Sequence, residues 1–323
     1  MGDMLKGKVA VVTGSGQGIG RAIAVGMAEE GAKVVTNNRR PGSTGHALLD
    51  DSILNLMSQE QKEWLHKQAE ESTGDAETTA REIKKIGGEA VPFFGDVSNF
   101  EVAGELIQKA VDSFGKIDIL ANVAGTFGFS AIWEMTEELW DRVTLTKPKG
   151  YFNCIRHAAP FMMKQKWGRI INCTSIAFLG DVLKHAEYCA ANAGVVGLTR
   201  AVAGELFQYG ITCNAFAPYA RTRASFELVA YDKAVTEAKS PWMDRKFALS
   251  LENTPSAEDL APFITYLASD EAAKINGKVF NVAGSSIGLY SEPEISKTLV
   301  KYGGRWTIDE LKQQVPFGLL AER

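Results

Sequence analysis

Short apolar runs rich in β-branched residues recur along the chain, separated by longer stretches whose apolar positions repeat at helical spacing. Lys8–Thr13, Lys33–Thr36, Ala90–Phe94, Ile117–Asn122, Arg169–Cys173, Thr212–Ala217 and Lys278–Val282 are mostly apolar through their length rather than alternating. That is the pattern of strands buried on both faces. Arg21–Glu30, Ala76–Ile86, Val102–Phe114 and Tyr188–Tyr209 lie between them and carry one apolar stripe each, as amphipathic helices do. Regular alternation of the two predicts an α/β fold, a doubly wound parallel sheet with helices on both faces. We expect a single domain over residues 1–323.

Two regions exceed this plan. Pro41–Gly74 separates the second strand from its helix, where a connection of about two to six residues is usual. Its apolar positions Leu48, Leu49, Ile53, Leu54, Met57, Trp64 and Leu65 have helical spacing, so an inserted helical segment is expected. The other is a C-terminal extension, about 289–323, with Tyr290, Tyr302, Trp306 and Leu311 as docking candidates.

Charge and composition narrow the function. A net charge of −4 gives no footprint for nucleic acid or an anionic membrane. No stretch approaches the roughly 18 apolar residues of a membrane span, and Val9–Val12 is too short for a signal peptide, so we expect a cytoplasmic protein. Cys154, Cys173, Cys189 and Cys213 lack C-x-x-C spacing and sit among apolar neighbours; they read as reduced core thiols, with no metal site.

Chemistry enters at Gly14-Ser15-Gly16-Gln17-Gly18-Ile19-Gly20, directly after the first strand and before a helix. Glycines there permit a tight turn and let backbone N–H groups approach a pyrophosphate at the positive end of the helix. The spacing T-G-x-x-x-G-x-G resembles that of the short-chain dehydrogenase/reductase family, and the resemblance continues to about Leu289. Asp96-Val97 is similar to the family's adenine-contacting pair, and Asn122-Val-Ala-Gly125 to its N-N-A-G signature. Ser175, thirteen residues before Tyr188, matches the catalytic serine, and Pro218 with Thr222 matches the loop over the nicotinamide. The resemblance implies a Rossmann-type fold, a substrate lid at about 223–254, and a homotetramer or dimer.

The family's NAD enzymes usually carry an aspartate at the end of the second strand. This chain has Asn38, followed by Arg39 and Arg40. A neutral side chain does not repel a 2′-phosphate and an arginine can pair with it, so NADP(H) is favoured over NAD(H). The alternative is Asn38 on a plain ribose with both arginines solvated.

A proton donor for carbonyl reduction must be drawn toward neutrality from the pKa of about 10 of a free tyrosine, and a close ammonium favours the phenolate. Tyr188 matches the family's proton donor, but the usual lysine four residues later is Asn192, while Lys147 stands where the family carries an asparagine. Tyr188-Cys-Ala-Ala-Asn192-Ala resembles the ketoreductase domains of polyketide and fatty-acid synthases, whose lysine comes from a neighbouring helix. The resemblance implies a Lys/Asn swap: Tyr188, Ser175, Lys147 and Asn192 as the catalytic set, with Tyr188 and Lys147 also touching the cofactor. Pro148 should bend the helix there by removing a backbone donor; Lys149 should point elsewhere.

His157 reads as a packing residue and His185 as a resident of the pocket border. Trp133 and Met135 fit either the pocket mouth or the core. The implied activity is hydride transfer between NADP(H) and a ketone or secondary alcohol, with a 3-oxoacyl or 3-hydroxyacyl (CoA) thioester as a candidate substrate. The competing reading is a catalytically silent nucleotide-binding subunit of a hetero-oligomeric dehydrogenase.

Overall fold

Eight strands form one sheet in the order β3-β2-β1-β4-β5-β6-β7-β8, parallel throughout except for the antiparallel β7–β8 pair. The computed structural model describes residues 2–42, 51–71, 73–180, 184–237 and 254–320. In chain order the elements are β1 (Val9–Val12), α1 (Gly18–Glu29), β2 (Lys33–Asn38), α2 (Asp51–Leu56), α3 (Gln59–Glu71), α4 (Ala76–Lys85) and β3 (Ala90–Phe94). Then follow α5 (Phe100–Phe114), β4 (Ile119–Asn122), α6 (Glu137–Thr144), α7 (Gly150–Gln165), β5 (Gly168–Cys173) and α8 (Ala186–Leu206). The remainder are β6 (Ile211–Pro218), α9 (Arg223–Glu237), α10 (Ala261–Leu267), β7 (Val279–Ala283), β8 (Ser286–Leu289) and α11 (Ile308–Gly318).

Successive strand residues face opposite layers, and both layers are apolar. Ala10, Val12, Val34, Ile119 and Phe216 pack with Ile23 and Met27 of α1, Ile83 of α4 and Ile264 of α10. Val9, Val11, Val35, Leu120 and Ile170 meet Leu106 and Ile107 of α5, Ile155 and Met162 of α7, and Val202 and Leu206 of α8. Each such side chain contributes about 1.5–3 kcal/mol when buried. This two-sided burial is why the strand runs lack alternation. β8 was not expected: Ser286-Ile-Gly-Leu289 is short and mostly exposed, so it carries no such run.

The long connection after β2 holds two helices, α2 and α3, with Met57 and Leu65 buried. Leu48 and Leu49 lie outside the described residues. At its C-terminal end the insertion reaches the cavity described below, through Thr73. Its apolar face meets α9, where Met57 and Leu65 join Ala230 and Tyr231 in one cluster, and Trp64 packs edge-to-face on Phe226 at 6.2 Å. An apolar stripe is buried by the nearest unmatched apolar surface, and α9 supplies it.

Tyr290–Arg323 forms a second unit, distinct from the one ending at Leu289. Its helix α11 is opened by a reciprocal cap between Thr307 and Glu310. Lys301 donates to Glu310 at 2.6 Å and holds that exposed carboxyl down at about 2.

Candidate active site

The loop after β1 owes its path to glycine. Gly14 has φ +63°, and a Cβ on it would sit 2.8 Å from the backbone of Ala124. A Cβ on Gly20 would overlap the carbonyl of Gly14, so the first turn of α1 lies directly on the loop. α1 begins at Gly18 with no side-chain cap, which leaves its first N–H groups for another partner. Gly14, Gln17, Gly18, Ile19 and Gly20 line one end of a cavity of about 880 Å³.

Asn38, Arg39, Asp96, Val97, Gly125, Pro218 and Thr222 line the same cavity, as expected. Asn37 is fixed by donating through Nδ2 to Phe93 O and Gly95 O. Asn38 is buried, yet its Oδ1 has no hydrogen-bond partner among the described residues. Asp96 accepts from the backbone of Ser98, and Asn153 donates to Val97 O, which holds that turn against the cavity. Three residues expected to contact the cofactor lie behind the lining instead. Ser15 is buried and accepts from Asn37 N at 2.8 Å. Gly16 is packed under Asn38. Asn122 is buried and donates to Asn172 Oδ1 at 2.9 Å, bridging β4 and β5.

This end fits a nicotinamide dinucleotide. The glycine cradle would admit the pyrophosphate, and the orphaned acceptor on Asn38 would take a ribose hydroxyl.

The other end gathers Lys147, Ser175, His185 and Tyr188. α6 and α7 are separated by a wide turn, Leu145–Lys149, in which Lys147 leaves the helical region (φ −133°, ψ 132°) before the cis-linked Pro148. A residue preceding proline is pushed toward extended conformations, so the chain breaks at the lysine. The break turns Lys147 inward. Only 3% of it is exposed, and its Nζ donates to Cys173 O at 2.8 Å and to Asn192 Oδ1 at 3.5 Å. The same Nζ lies 6.0 Å from the Tyr188 ring centroid. Asn192 does not line the cavity; it donates to Tyr188 O at 2.8 Å and so ties Lys147 to the helix bearing Tyr188. Lys149 is exposed. Ser175 accepts from Ala177 N at 3.3 Å.

Three groups escaped sequence reasoning. Tyr151 is fully buried and donates to Cys173 O at 3.1 Å, the same carbonyl that Lys147 uses; burial pushes its phenol well above the ordinary value. Glu187 is buried beside Tyr188 and accepts from Gly128 N, with burial raising its carboxyl. Phe127 packs 5.6 Å from the Tyr188 ring, and Phe129 stacks on Tyr231 at 4.1 Å. Aromatic spacing in Phe127-Gly-Phe129 was the only available signal. His157 packs on Phe100 as expected, whereas Trp133 and Met135 do not line the cavity.

The sequence profile of the short chain dehydrogenases matches residues 8–52 and 53–227. A 3-oxoacyl-(acyl-carrier-protein) reductase of Staphylococcus epidermidis is 33% identical over 283 residues, covering 88% of this chain and 99% of the relative. The corresponding reductase of Synechocystis is 32% identical over 284 residues, 88% of this chain and 98% of the relative. A short chain dehydrogenase structure from Mycobacterium avium superposes with a TM-score of 0.76 at 32% identity, covering 99% of this chain and 97% of that one. A short-chain alcohol dehydrogenase structure from Sinorhizobium meliloti gives 0.64 at 30% identity, over 86% and 95%. The chain belongs to the short-chain dehydrogenase family. It is an NAD(P)-dependent oxidoreductase acting on CH–OH groups.

Proposed function

We propose that the protein interconverts a ketone and a secondary alcohol with NADP(H), using the Lys/Asn-swapped set of Tyr188, Ser175, Lys147 and Asn192. The observation carrying this is the buried ammonium of Lys147 within 6.0 Å of the Tyr188 ring centroid, delivered from the turn before α7 instead of from α8.

The bound cofactor supplies or accepts the hydride. Tyr188 Oη gives the proton to the developing alkoxide, or removes it in oxidation, and Ser175 Oγ hydrogen-bonds the substrate oxygen. The Lys147 ammonium favours the phenolate left behind. Asn192 orients Lys147 and contributes no proton. Gly14, Gln17, Gly18, Ile19 and Gly20 would hold the pyrophosphate, Asp96-Val97 the adenine, Gly125 with Pro218 and Thr222 the nicotinamide end. Arg39 would receive the 2′-phosphate, with Asn38 on a ribose hydroxyl; Arg39 is exposed and borders the cavity, free to pair with the phosphate.

A 3-oxoacyl thioester is the favoured substrate, supported by the reductases named above and by a lining that includes Ile176, Leu179, Phe226 and Leu228. We expect a homo-oligomer, dimer or tetramer, in the cytoplasm. The test is to follow NADPH and NADH consumption against acetoacetyl-CoA, longer 3-oxoacyl-CoA thioesters, ethyl acetoacetate and 1-decalone. NADPH-dependent reduction supports the reading. Nucleotide binding without reduction of any of them sinks it in favour of a silent subunit.

A further inference from the structure

α9 is held between two aromatic surfaces. On one side α2 and α3 press Met57, Leu65 and Trp64 against it, and Trp64 meets Phe226 edge-on at 6.2 Å. On the other, Tyr231 of α9 stacks on Phe129 at 4.1 Å with the rings 8° from parallel. Phe129 stacks in turn on His185 at 6.0 Å, and His185 lies 5.2 Å from the Tyr188 ring. A continuous path of rings therefore joins the insertion-backed helix to the proton donor. α9 supplies Arg223, Ala224, Ser225, Phe226 and Leu228 to the cavity, whereas the described part of the insertion supplies only Thr73. The insertion's influence on the pocket runs through α9.

We propose that the α2–α3 insertion is this enzyme's specificity element, a buttress that clamps α9 onto the ring stack. It thereby fixes the apolar wall for the larger substituent of the ketone. This rests on the reductase reading above. A helix of α9's composition has little reason to hold one position without an apolar partner on its outer face, since most helix stability in proteins comes from packing. With the buttress in place, Phe226 and Leu228 are presented in a fixed geometry, and a ketone with a long or bulky apolar substituent gains contacts that a small ketone does not. Trp64 and Leu65 are accordingly positioning residues; neither lines the cavity.

The experiment compares wild type with Trp64→Ala/Leu65→Ala and with the conservative Leu65→Met, using the full chain with NADPH bound. Removing both side chains should raise amide exchange through the described part of α9 about tenfold or more while α8 is unchanged, the signature of a local opening. KM for 1-decalone and long 3-oxoacyl-CoA thioesters should rise about tenfold, with kcat and NADPH affinity within about threefold, as expected when binding contacts alone are lost. Ethyl acetoacetate should be nearly unaffected, and Leu65→Met should restore the wild-type profile. Unchanged exchange in α9, or equal losses for large and small ketones, overturns the proposal. If the wild type reduces no ketone, the reductase reading fails separately, and slow exchange in α9 of the double variant then disproves the clamp.

Discussion

Replacing Lys147 by methionine tests the swapped site most directly. The substitution keeps the straight stem that packs against Gly125 and removes only the ammonium. The fold should tolerate it, because the Cys173 carbonyl retains the Tyr151 hydroxyl at 3.1 Å as a donor. With the charge 6.0 Å from the centre of the Tyr188 ring, its attraction for a phenolate is about 3 kcal/mol at an effective dielectric of about 20. If the full attraction is realised in the transition state, losing it slows turnover about 10²-fold, the low end of the range for general acid–base groups.

The assay is steady-state consumption of reduced cofactor at neutral pH, with cofactor affinity and thermal unfolding measured on the same preparation. Turnover should fall about 10²-fold while cofactor affinity stays near wild type and the unfolding temperature is equal or higher, and Tyr188→Phe should be at least as severe. Lys147→Asn with Asn192→Lys should recover part of the loss, since Asn192 is already within 3.5 Å of the ammonium it would replace. Turnover of Lys147→Met near the wild-type rate would refute the reasoning and require another cation beside Tyr188.

Three further outcomes follow from the geometry. Arg39→Ala should weaken NADPH binding by about 1.5–3 kcal/mol, the scale of a charge-assisted hydrogen bond, and spare NADH, with Asn38→Asp moving preference toward NADH; titration of both cofactors checks it, and tighter NADH than NADPH binding to the wild type refutes it. Gly125→Ala places a Cβ 2.7 Å from Lys147 Cε, so it should cost about 1–3 kcal/mol of stability by overpacking and depress turnover by displacing the ammonium, read by melting and rate together. Burial raises the Glu187 carboxyl in the folded state, so the stability linked to its protonation is present below the ordinary glutamate value of 4.5 and lost as pH rises through the folded value. Glu187→Gln should therefore melt higher than wild type at neutral pH and alike in acid, and a wild-type advantage at neutral pH would contradict this.

Much of the architecture could be read from the chain because strands buried on both faces leave unbroken apolar runs. β3 is found at Ala90–Phe94 as expected, and β1, β2 and β4 to β7 lie within two residues of their expected ends. The glycine loop was equally legible, since a φ of +63° at Gly14 leaves few other residues a choice. What escaped depended on partners distant in sequence. The stripe on Met57 and Leu65 announces a helix that must be buried, but nothing local says that α9, more than 150 residues on, buries it. Ser15 and Asn122 were read as cofactor contacts because they belong to the right motifs. A motif marks the region of the backbone, and whether a side chain in it faces the cavity depends on β2 and β5, which take the hydrogen bonds of these two residues.

The burial of Lys147 is an argument for its use. Its ammonium is almost wholly withdrawn from water, and among the described residues no carboxylate pairs with it; its hydrogen-bond partners are a backbone carbonyl and a side-chain amide. Uncompensated burial of an ion costs several kcal/mol, and methionine would fill the same volume without that cost. A site selected for packing alone would not keep the charge. A site that must stabilise a transient phenolate would, because in the proposed mechanism Tyr188 supplies the missing anion during turnover, when the attraction favours reaction and not merely folding. The partners fit this reading: Cys173 O and Asn192 Oδ1 orient the ammonium without neutralising it. An aspartate in place of Asn192 would pair with the ammonium and quench its field at Tyr188, while giving up the amide's donation to Tyr188 O. Asn192→Asp is therefore expected to turn over more slowly than wild type in the NADPH-dependent assay, and a variant that kept the wild-type rate would show that the charge serves the fold alone.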